Sequence, residues 1–248
     1  MPNATGTIIE TSSSGGTDTA RRLPRMIPLP VAPVTASPVP RLTSIHSVLE
    51  RGPYGDNTYR GNCGGYLIRD LLEYFRPRRV LDPMSGSGTC RDVCRELGVE
   101  CASFDLRAGH DAAQASSYAD LRRFEFVWLH PPYWRMIRYN DDPRCLSNAS
   151  TLDDFLGRLG RVLRCCRDVL TPYGKIAVLI GGFSDFDGRR RRYIPLAALT
   201  NQLAAELGLW PVCTEIIRFQ NGNSSSAKRY TSSFIPGLHD TCMIFGRN

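Results

Sequence analysis

Apolar strands and amphipathic helices alternate along the chain from Tyr66 onward. A first helix with an apolar stripe is stopped by Pro77, a short buried strand RRVLDP follows, and a helix over Cys90–Leu97 closes at Gly98. The strands ECASFDL and FEFVWL precede the clearest helix, Thr151–Leu170, which opens with a Thr-x-x-Asp cap. This alternation predicts a parallel α/β sheet with helices on both faces.

The last third of the sequence changes this pattern once. A turn at TPYG leads to the strand KIAVLIG and then to a helix with a leucine stripe. The two final strands, CTEIIRF and CMIFG, are separated by a polar loop and not by a helix. We therefore expect a mostly parallel sheet with an antiparallel last strand, paired as a hairpin at one sheet edge.

The composition separates an N-terminal arm from one domain. Residues 1–42 contain seven of the 17 prolines and are rich in Ser, Thr and Gly, which predicts a disordered or extended arm. The remaining residues 43–248 are long enough to bury a core without disulfides. With no apolar run of about 18 residues and no signal peptide pattern, we expect a soluble, cytoplasmic protein.

The charge balance favours a polyanionic partner. The net charge is +7, and nucleic acid is the first partner to consider for a basic chain. An alternative remains open, because only Lys175 and Lys228 among the 31 basic residues are lysines. Such an arginine excess also arises from the coding bias of a GC-rich genome.

The cysteines and histidines form no metal-binding motif in the sequence. The nine cysteines include no C-x-x-C pair, and the four histidines lie far apart. Cys90 and Cys94 lie one helical turn apart on the same face as Val93, where a thiol serves as a small core residue. We therefore expect structural thiols in a reducing compartment, and no metal.

A glycine loop, LDPMSGSGT (81–89), joins a strand to a helix start. The dinucleotide-binding fingerprint requires a third glycine where Arg91 stands, which disfavours an NAD-dependent enzyme, and the P-loop lysine is absent. A helix N-terminus attracts an anion such as a carboxylate. Asp105 lies 19 residues after Gly86, at a strand end that suits a carboxylate binding ribose hydroxyls. An amino acid joined to adenosine, without phosphates, describes S-adenosylmethionine.

Three motifs together resemble one enzyme family. DPMSGSGT, FDL and HPPYW resemble the cofactor loop, acidic strand end and catalytic motif of class I methyltransferases that modify exocyclic amines of nucleic-acid bases. The similarity runs from about Tyr59 to Arg247, and the D-P-x-x-G-S-G-T form is typical of N6-adenine and N4-cytosine DNA methyltransferases. LHDTCMIF (238–245) resembles the H-[DE]-x-x-x-x-F segment of their last strand. The resemblance implies a Rossmann-like class I methyltransferase sheet with helices on both faces, and S-adenosyl-L-methionine as cofactor.

The resemblance also implies roles for individual residues. Asp82 and the loop Ser85–Thr89 would hold the methionine end, Asp105 the ribose and Asp111 the adenine amine. The segment YRGNCGG (59–65) would close over the methionine moiety. The complete cofactor set is Tyr59, Arg60, Asn62, Asp82, Pro83, Met84, Ser85, Gly86, Ser87, Gly88, Thr89, Asp105, Leu106, Asp111 and Ala112.

HPPYW supplies the expected catalytic residues, His130, Pro131, Pro132, Tyr133 and Trp134. A base amine is a weak nucleophile because its lone pair is delocalised into the ring, and acceptors for its N–H groups can localise that pair. By resemblance, the first side chain of the motif and the next backbone carbonyl are these acceptors, Tyr133 stacks on the extruded base, and Trp134 extends that platform. His130 replaces the usual Asp, Asn or Ser.

His130 is an acceptor only as neutral imidazole, so we expect activity to fall below about pH 6.5, near the unperturbed histidine pKa. In an alternative interpretation His130 only caps the strand, and the Pro131 carbonyl is the acceptor. The trailing Trp134 favours N4 of cytosine slightly over N6 of adenine.

From the order of the motifs, we expect no large, separate target-recognition domain. We expect specificity to come from segments 134–150, 183–193 and 219–239, with DNA favoured over RNA. The expected nucleic-acid contacts are Arg135, Arg138, Arg189, Arg190, Arg191, Arg192, Lys228 and Arg229. A restriction partner and association with the nucleoid are compatible with this function. The alternatives are an RNA base methyltransferase, a protein-glutamine methyltransferase, and a catalytically silent module that binds cofactor and nucleic acid.

Overall fold

The computed structural model describes residues 38–39, 41–48, 50–186, 188–219, 235 and 237–247. The strands are β1 (Ile45–His46), β2 (Arg79–Asp82), β3 (Glu100–Ser103), β4 (Phe124–Leu129), β5 (Leu170–Ile180), β6 (Phe183–Phe186), β7 (Arg191–Ile194), β8 (Leu209–Pro211), β9 (Ile216–Phe219) and β10 (His239–Arg247). The helices are α1 (Tyr66–Phe75), α2 (Thr89–Glu96), α3 (Leu152–Asp168) and α4 (Leu196–Glu206).

The main sheet has the strand order β1-β9-β10-β5-β4-β2-β3, with β8 beside β10. The pairs β2–β3, β2–β4, β4–β5 and β1–β9 are parallel, whereas β10 runs antiparallel to β5, β8 and β9. The predicted Rossmann-like fold class, mostly parallel with an antiparallel last strand, is therefore confirmed. The last two long strands pair with each other as expected, although β10 lies inside the sheet.

Helices cover both faces because successive residues of each central strand point in opposite directions. On β2, Val80 packs into a core cluster that includes Leu71 of α1 and residues of α2. The next residue, Leu81, packs into the opposite cluster with Phe155 of α3 and Leu196 of α4. All five side chains are fully buried, and each such burial stabilises the fold by about 1.5–3 kcal/mol.

The helix ends follow the predicted signals. The Thr151 hydroxyl accepts a hydrogen bond from the Asp154 N–H at 3.1 Å, which caps the start of α3. Gly98 follows α2 with φ +66°, a left-handed conformation that favours glycine. α1 ends before Pro77, with Arg76 in the left-handed region.

The strands differ from the sequence prediction in several places: β1 and β8 are not predicted, and two further differences lie at β5 and directly after it. β5 begins at Leu170 and includes the TPYG segment that the sequence indicated as a turn. Phe124 of β4 pairs with Leu170 and Phe126 with Lys175, and this register shift accommodates the extra residues of β5. The segment after β5 forms an antiparallel hairpin, β6–β7, in which Phe183 pairs with Ile194. The sequence pattern predicts only a loop at this position.

The described end of the predicted arm contacts the domain. Val39 is buried, and Arg41 forms an ion pair with the buried Asp70 of α1 at 2.6 Å. His46 Nε2 also lies 3.2 Å from an Asp70 oxygen, which joins β1 to α1. Residues 1–37, the rest of that arm, lie outside the described residues.

No helix within the described ranges is long and apolar enough to cross a membrane.

The carboxyl ends of β2, β3, β4 and β5 meet at one edge of the sheet, and the antiparallel β10 starts at the same edge. β3 and β4 lie on opposite sides of β2, so the chain changes direction at this strand. Ligands of open α/β sheets bind in the crevice at such a point. The glycine loop, Asp105 and HPPYW all follow strands that end there.

Candidate active site

A cavity of about 760 Å³, counting its open mouth, lies at this carboxyl edge. It is lined by residues that follow β2, β3 and β4, by the segment before α1, and by the loop before α3. The lining residues are Tyr59, Gly61, Asn62, Pro83, Met84, Gly86, Ser87, Asp105, Leu106, Arg107, His110, Asp111, Ala112, His130, Pro132, Tyr139, Asn140, Arg144, Cys145 and Leu146. Residues expected to bind cofactor thus share one cavity with His130 and Pro132.

The glycine loop brings its backbone to the cavity surface. Gly86 and Gly88 have φ values of +51° and +82°, which favour glycine, and the Gly88 N–H donates to the Ser85 carbonyl at 2.8 Å. A Cβ on Gly86 would come within 3.2 Å of the Tyr59 ring. The loop therefore places backbone rather than side chain at the start of α2.

Asp105 is tied to this loop and to its own neighbour. One carboxylate oxygen accepts from the Gly86 N–H at 3.0 Å, and the other accepts from the Arg107 N–H and Nε at 3.0 and 2.8 Å. Burial acts to raise the pKa of Asp105, but the hydrogen bonds from Arg107 and Gly86 hold it below the ordinary value. Arg107 also donates to the Gly86 carbonyl and lies over the Tyr59 ring. Sequence reasoning missed Arg107.

Two stacked aromatic rings lie next to Asp111, the residue expected to bind the adenine amine. His110 stacks on Phe104, with ring centroids 4.5 Å apart, and lines the cavity next to Asp111. Asp111 is buried, and one of its oxygens accepts from the Ala113 N–H at 2.9 Å. Leu106 and Ala112 line the same end. The GHDA sequence indicated Asp111 but not the His110–Phe104 pair.

Some residues of the predicted cofactor set lie behind the loop, because the loop folds back over them. Asp82 is 2% exposed, and its oxygen accepts from the Met84 N–H, so in this structure it shapes the loop and does not reach the cavity surface. Burial raises its pKa well above the ordinary value. Thr89 is equally buried and shares a hydrogen bond with Ser87. The other members of the set that do not line the cavity are Arg60, Ser85 and Gly88.

Two segments close over the glycine loop. Tyr59 stacks on Tyr139 with centroids 5.8 Å apart, and a Cβ on Gly61 would collide with the Tyr139 hydroxyl. The loop before α3 is held by Asn148, whose side chain donates to the carbonyls of Asn140 and Asp142. Its cavity residues were not predicted, because this loop has no periodic pattern.

His130 lies at the end of β4, partly buried, with Nε2 3.3 Å from the Tyr133 hydroxyl. Burial lowers its pKa to about 4, so the imidazole is neutral at physiological pH. Because the neutral ring then keeps its acceptor nitrogen below pH 6.5, we expect the fall in activity at a lower pH than the sequence alone indicated, and the role of His130 stays a prediction. Pro131 is buried and Pro132 lines the cavity.

Tyr133 is supported by β5 and β10. Burial raises the pKa of its hydroxyl well above the ordinary value, and Asp240 at the start of β10 accepts a hydrogen bond from it. Asp240 is buried and also forms an ion pair with Arg218 of β9 at 3.0 Å. Gly181 passes under Tyr133, because a Cβ there would lie 2.8 Å from its ring.

The structure corrects the assignment of Trp134. Its indole is 5% exposed, its N–H donates to the Ala149 carbonyl at 2.9 Å, and it packs edge-on against Phe183. Trp134 also has φ +49°, an unusual value for a bulky residue. It therefore anchors the turn after HPPY in the core and does not extend a stacking platform on the cavity surface.

The predicted nucleic-acid contacts fall into three groups. Arg135 forms a close ion pair with Asp185 of β6, and Arg138 pairs with Asp141 on the surface. The four arginines at the tip of the β6–β7 hairpin, Arg189, Arg190, Arg191 and Arg192, are exposed. Lys228 and Arg229 lie outside the described residues.

No protein-family model and no curated protein match the chain. Among solved structures, a candidate DNA modification methylase of Thermus thermophilus, complexed with S-adenosyl-L-methionine, is 20% identical, with 55% of this chain and 51% of that chain covered and a TM-score of 0.41. A Burkholderia thailandensis 1,6-didemethyltoxoflavin-N1-methyltransferase with bound S-adenosylhomocysteine is 18% identical, with 74% and 76% covered and a TM-score of 0.44.

The glycopeptide N-methyltransferase MtfA, complexed with S-adenosyl-L-methionine, is 12% identical to this chain, with 80% and 93% covered and a TM-score of 0.45. This chain spans about half the length of the Thermus structure.

Proposed function

We propose that this protein is an S-adenosyl-L-methionine-dependent methyltransferase acting on the exocyclic amine of a DNA base, with N4 of cytosine favoured over N6 of adenine. The observation that carries the proposal is one shared cavity. The glycine loop with Asp105 forms one side of it, and His130 with Pro132 forms the other. A donor and an acceptor amine bound on these sides would meet within a single cavity.

The donor side fits an amino acid joined to a nucleoside. The left-handed glycines expose backbone at the start of α2, where a carboxylate is favoured. Asp105 offers a carboxylate for ribose hydroxyls, and the His110–Phe104 stack offers a flat surface for adenine.

The bound cofactor supplies an electrophilic sulfonium methyl group. The protein's part is to position the amine and accept its N–H groups. The Tyr133 hydroxyl donates its hydrogen to Asp240, so the Tyr133 oxygen accepts from the Nε2–H of His130. In this tautomer of the neutral ring, Nδ1 of His130 is the nitrogen that can accept a hydrogen bond from the amine. Pro131 and Pro132 lack backbone N–H groups, so the carbonyls of this turn remain acceptors without competing donors.

A basic hairpin adjoins the acceptor side and supports nucleic acid as substrate. One face of β6–β7 packs inward through Phe183, while Phe186 and Tyr193 on the other face are 60% and 59% exposed. Exposed aromatic rings beside arginines are typical of surfaces that stack on bases and contact phosphates. The Tyr193 hydroxyl reaches Gly182, one residue from the Gly181 backbone under Tyr133. We assign target recognition to this same domain.

The test is methyl transfer to DNA, measured with tritium-labelled S-adenosylmethionine, followed by mass spectrometry of the nucleosides. We expect N4-methylcytosine with the wild-type protein and a loss of about 5–150-fold in Tyr133→Ala, since stacking is worth about 1–3 kcal/mol per base. Tyr173→Ala is the matched control, because Tyr173 is 90% exposed and remote from the cavity lining. Cofactor binding without transfer to DNA or RNA would instead identify a silent module.

A further inference from the structure

Three cysteine sulfur atoms meet behind the glycine loop. Cys90 and Cys94 lie one turn apart on α2, Cys101 lies on β3, and their Sγ atoms are all within 4.8 Å of one another. Cys90 and Cys94 are 1% and 0% exposed, and Cys101 is partly buried. The sequence indicated the first two as core thiols, whereas the pairing of β3 with β2 adds the third.

We propose that Cys90, Cys94 and Cys101 bind one thiophilic d10 cation, for which Zn²⁺ is the probe. Zinc–thiolate bonds of about 2.3 Å in tetrahedral geometry place sulfur atoms about 3.8 Å apart. The three sulfurs lie close enough that side-chain rotations of about 1 Å would bring them to this spacing. Coordination releases the thiol protons to solvent and leaves a fourth position for water.

The backbone holds the three ligands in place before any ion binds. The turn between α2 and β3 is short and hydrogen-bonded, with the Leu97 N–H donating to Val93 at 3.0 Å and the Val99 N–H to Cys94 at 2.9 Å. Gly98 takes the left-handed conformation that this turn requires. A site built on a helix and a strand loses little conformational freedom on binding.

A buried polar atom on the same strand face supports a polar occupant. Ser103 lies two residues after Cys101, so both side chains point to the same face of β3. The Ser103 Oγ is buried and has no hydrogen-bond partner in the structure, which is costly in an otherwise apolar setting. A water bound at the fourth position of the cation would give this hydroxyl a partner.

The experiment measures metal on the purified full chain, freed of any histidine tag. After expression with added zinc, we expect about one zinc per chain by elemental analysis and by native mass spectrometry. Replacement by Co²⁺ should give the intense thiolate-to-cobalt band and the visible bands of a tetrahedral site. A wild-type protein with less than one tenth of an equivalent, and without cobalt bands, would overturn the proposal.

Variants separate this site from the other thiols. Cys101→Ser keeps the volume of a partly buried side chain and should lose at least about 90% of the bound metal while remaining folded. Cys242→Ala is the control, since Cys242 is a fully buried thiol on β10 that is not in the cluster, and it should keep the metal. Metal retained in Cys101→Ser, or a disulfide among the three cysteines in metal-free wild type, contradicts the assignment. These readouts are independent of methyl transfer.

Discussion

Arg107 donates hydrogen bonds to the Asp105 carboxylate, which the ribose hydroxyls of the proposed cofactor would also need. A carboxylate accepts about four hydrogen bonds, and Asp105 already accepts four from Gly86 and Arg107, the longest of them 3.5 Å. Ribose hydroxyls would therefore compete with the Arg107 side chain. Arg107→Leu removes the competitor, and because a half-exposed ion pair is worth at most about 1 kcal/mol, we expect S-adenosylmethionine to bind up to about fivefold tighter by calorimetry.

The matched control is Arg95→Leu, which removes an Arg–Asp pair of the same kind outside the cavity. Its cofactor affinity should equal that of the wild type, while Asp105→Asn should bind more weakly. Weaker binding in Arg107→Leu would mean that the guanidinium contacts the cofactor itself.

In the proposed mechanism, the protonation of His130 sets how the rate of methyl transfer depends on pH at the acid end. Burial lowers its pKa to about 4, so the acceptor stays neutral through the usual assay range. If His130 alone controls the pH dependence, the single-turnover rate of methyl transfer should be constant from pH 8 to about 5. The rate should then fall as the pH approaches 4. A midpoint near pH 6.5 that disappears in His130→Asn would contradict the burial of this ring.

The imidazole of His130 also makes the free energy of unfolding depend on pH. The folded pKa of His130 lies below the unfolded value of about 6.5, so its contribution to stability is complete above pH 6.5 and is lost as the pH falls toward 4. Between pH 7 and 5 the wild type should lose about 2 kcal/mol more of its unfolding free energy than His130→Asn. Urea titrations at the two pH values measure the difference, and equal losses would contradict it.

Sequence motifs identified the residues that define the proposed chemistry, but not those that come from unpatterned loops. Gly86 and Asp105 were predicted from a turn and a strand spacing, and the structure joins them by a hydrogen bond. Arg107 and Tyr139 reach the cavity through side-chain contacts that no periodicity encodes. Trp134 was expected to extend a stacking platform, whereas the structure has it buried at a left-handed backbone position that the sequence pattern does not indicate.

The junction between β5 and the β6–β7 hairpin positions Tyr133. A Cβ on Gly181 would lie 2.5 Å from an Asp240 oxygen and 2.8 Å from the Tyr133 ring, and buried Asp240 has little room to move. We expect Gly181→Ala to lower the methyl-transfer rate about 10–100-fold, the cost of a misplacement of about 1 Å. Cofactor affinity should change less than twofold, because Gly181 does not line the cavity.

Gly157→Ala is the control for this substitution. Gly157 lies within α3, and a Cβ there meets nothing within 4 Å. This variant should keep the full rate and gain slightly in melting temperature, since alanine favours a helix. Equal rates in both glycine variants would show that Tyr133 does not depend on the close approach.

The helices and central strands were predictable because one hydrophobic period runs through each of them. α3 shows the full apolar stripe and its Thr151 cap, and both are found in the structure. The β6–β7 hairpin was not predictable, because Arg189–Arg192 interrupt any alternation. Its inner face is made by packing of Phe183 on Trp134, a contact between distant parts of the chain. Tertiary packing overrides local pattern at such positions.

The fold shows where the exposed arginines that contribute to the net positive charge lie. Exposed arginines lie both on α3, as Arg161 and Arg164, and at the hairpin tip, as Arg189 and Arg190. Only the hairpin follows the carboxyl end of β5, the edge that holds the cavity. If the net charge of +7 serves DNA binding, the hairpin arginines should matter more than those on α3.

The double variant Arg189→Gln/Arg190→Gln tests this difference against Arg161→Gln/Arg164→Gln, which removes the same charge. Each lost phosphate contact lowers the slope of log affinity against log salt by about 0.9 for duplex DNA. We therefore expect the hairpin variant to lose about two units of slope and about tenfold in affinity in fluorescence anisotropy, while the α3 variant keeps the wild-type slope. Equal slopes in both variants would mean that DNA is held elsewhere and that the arginine excess at the hairpin does not reflect binding.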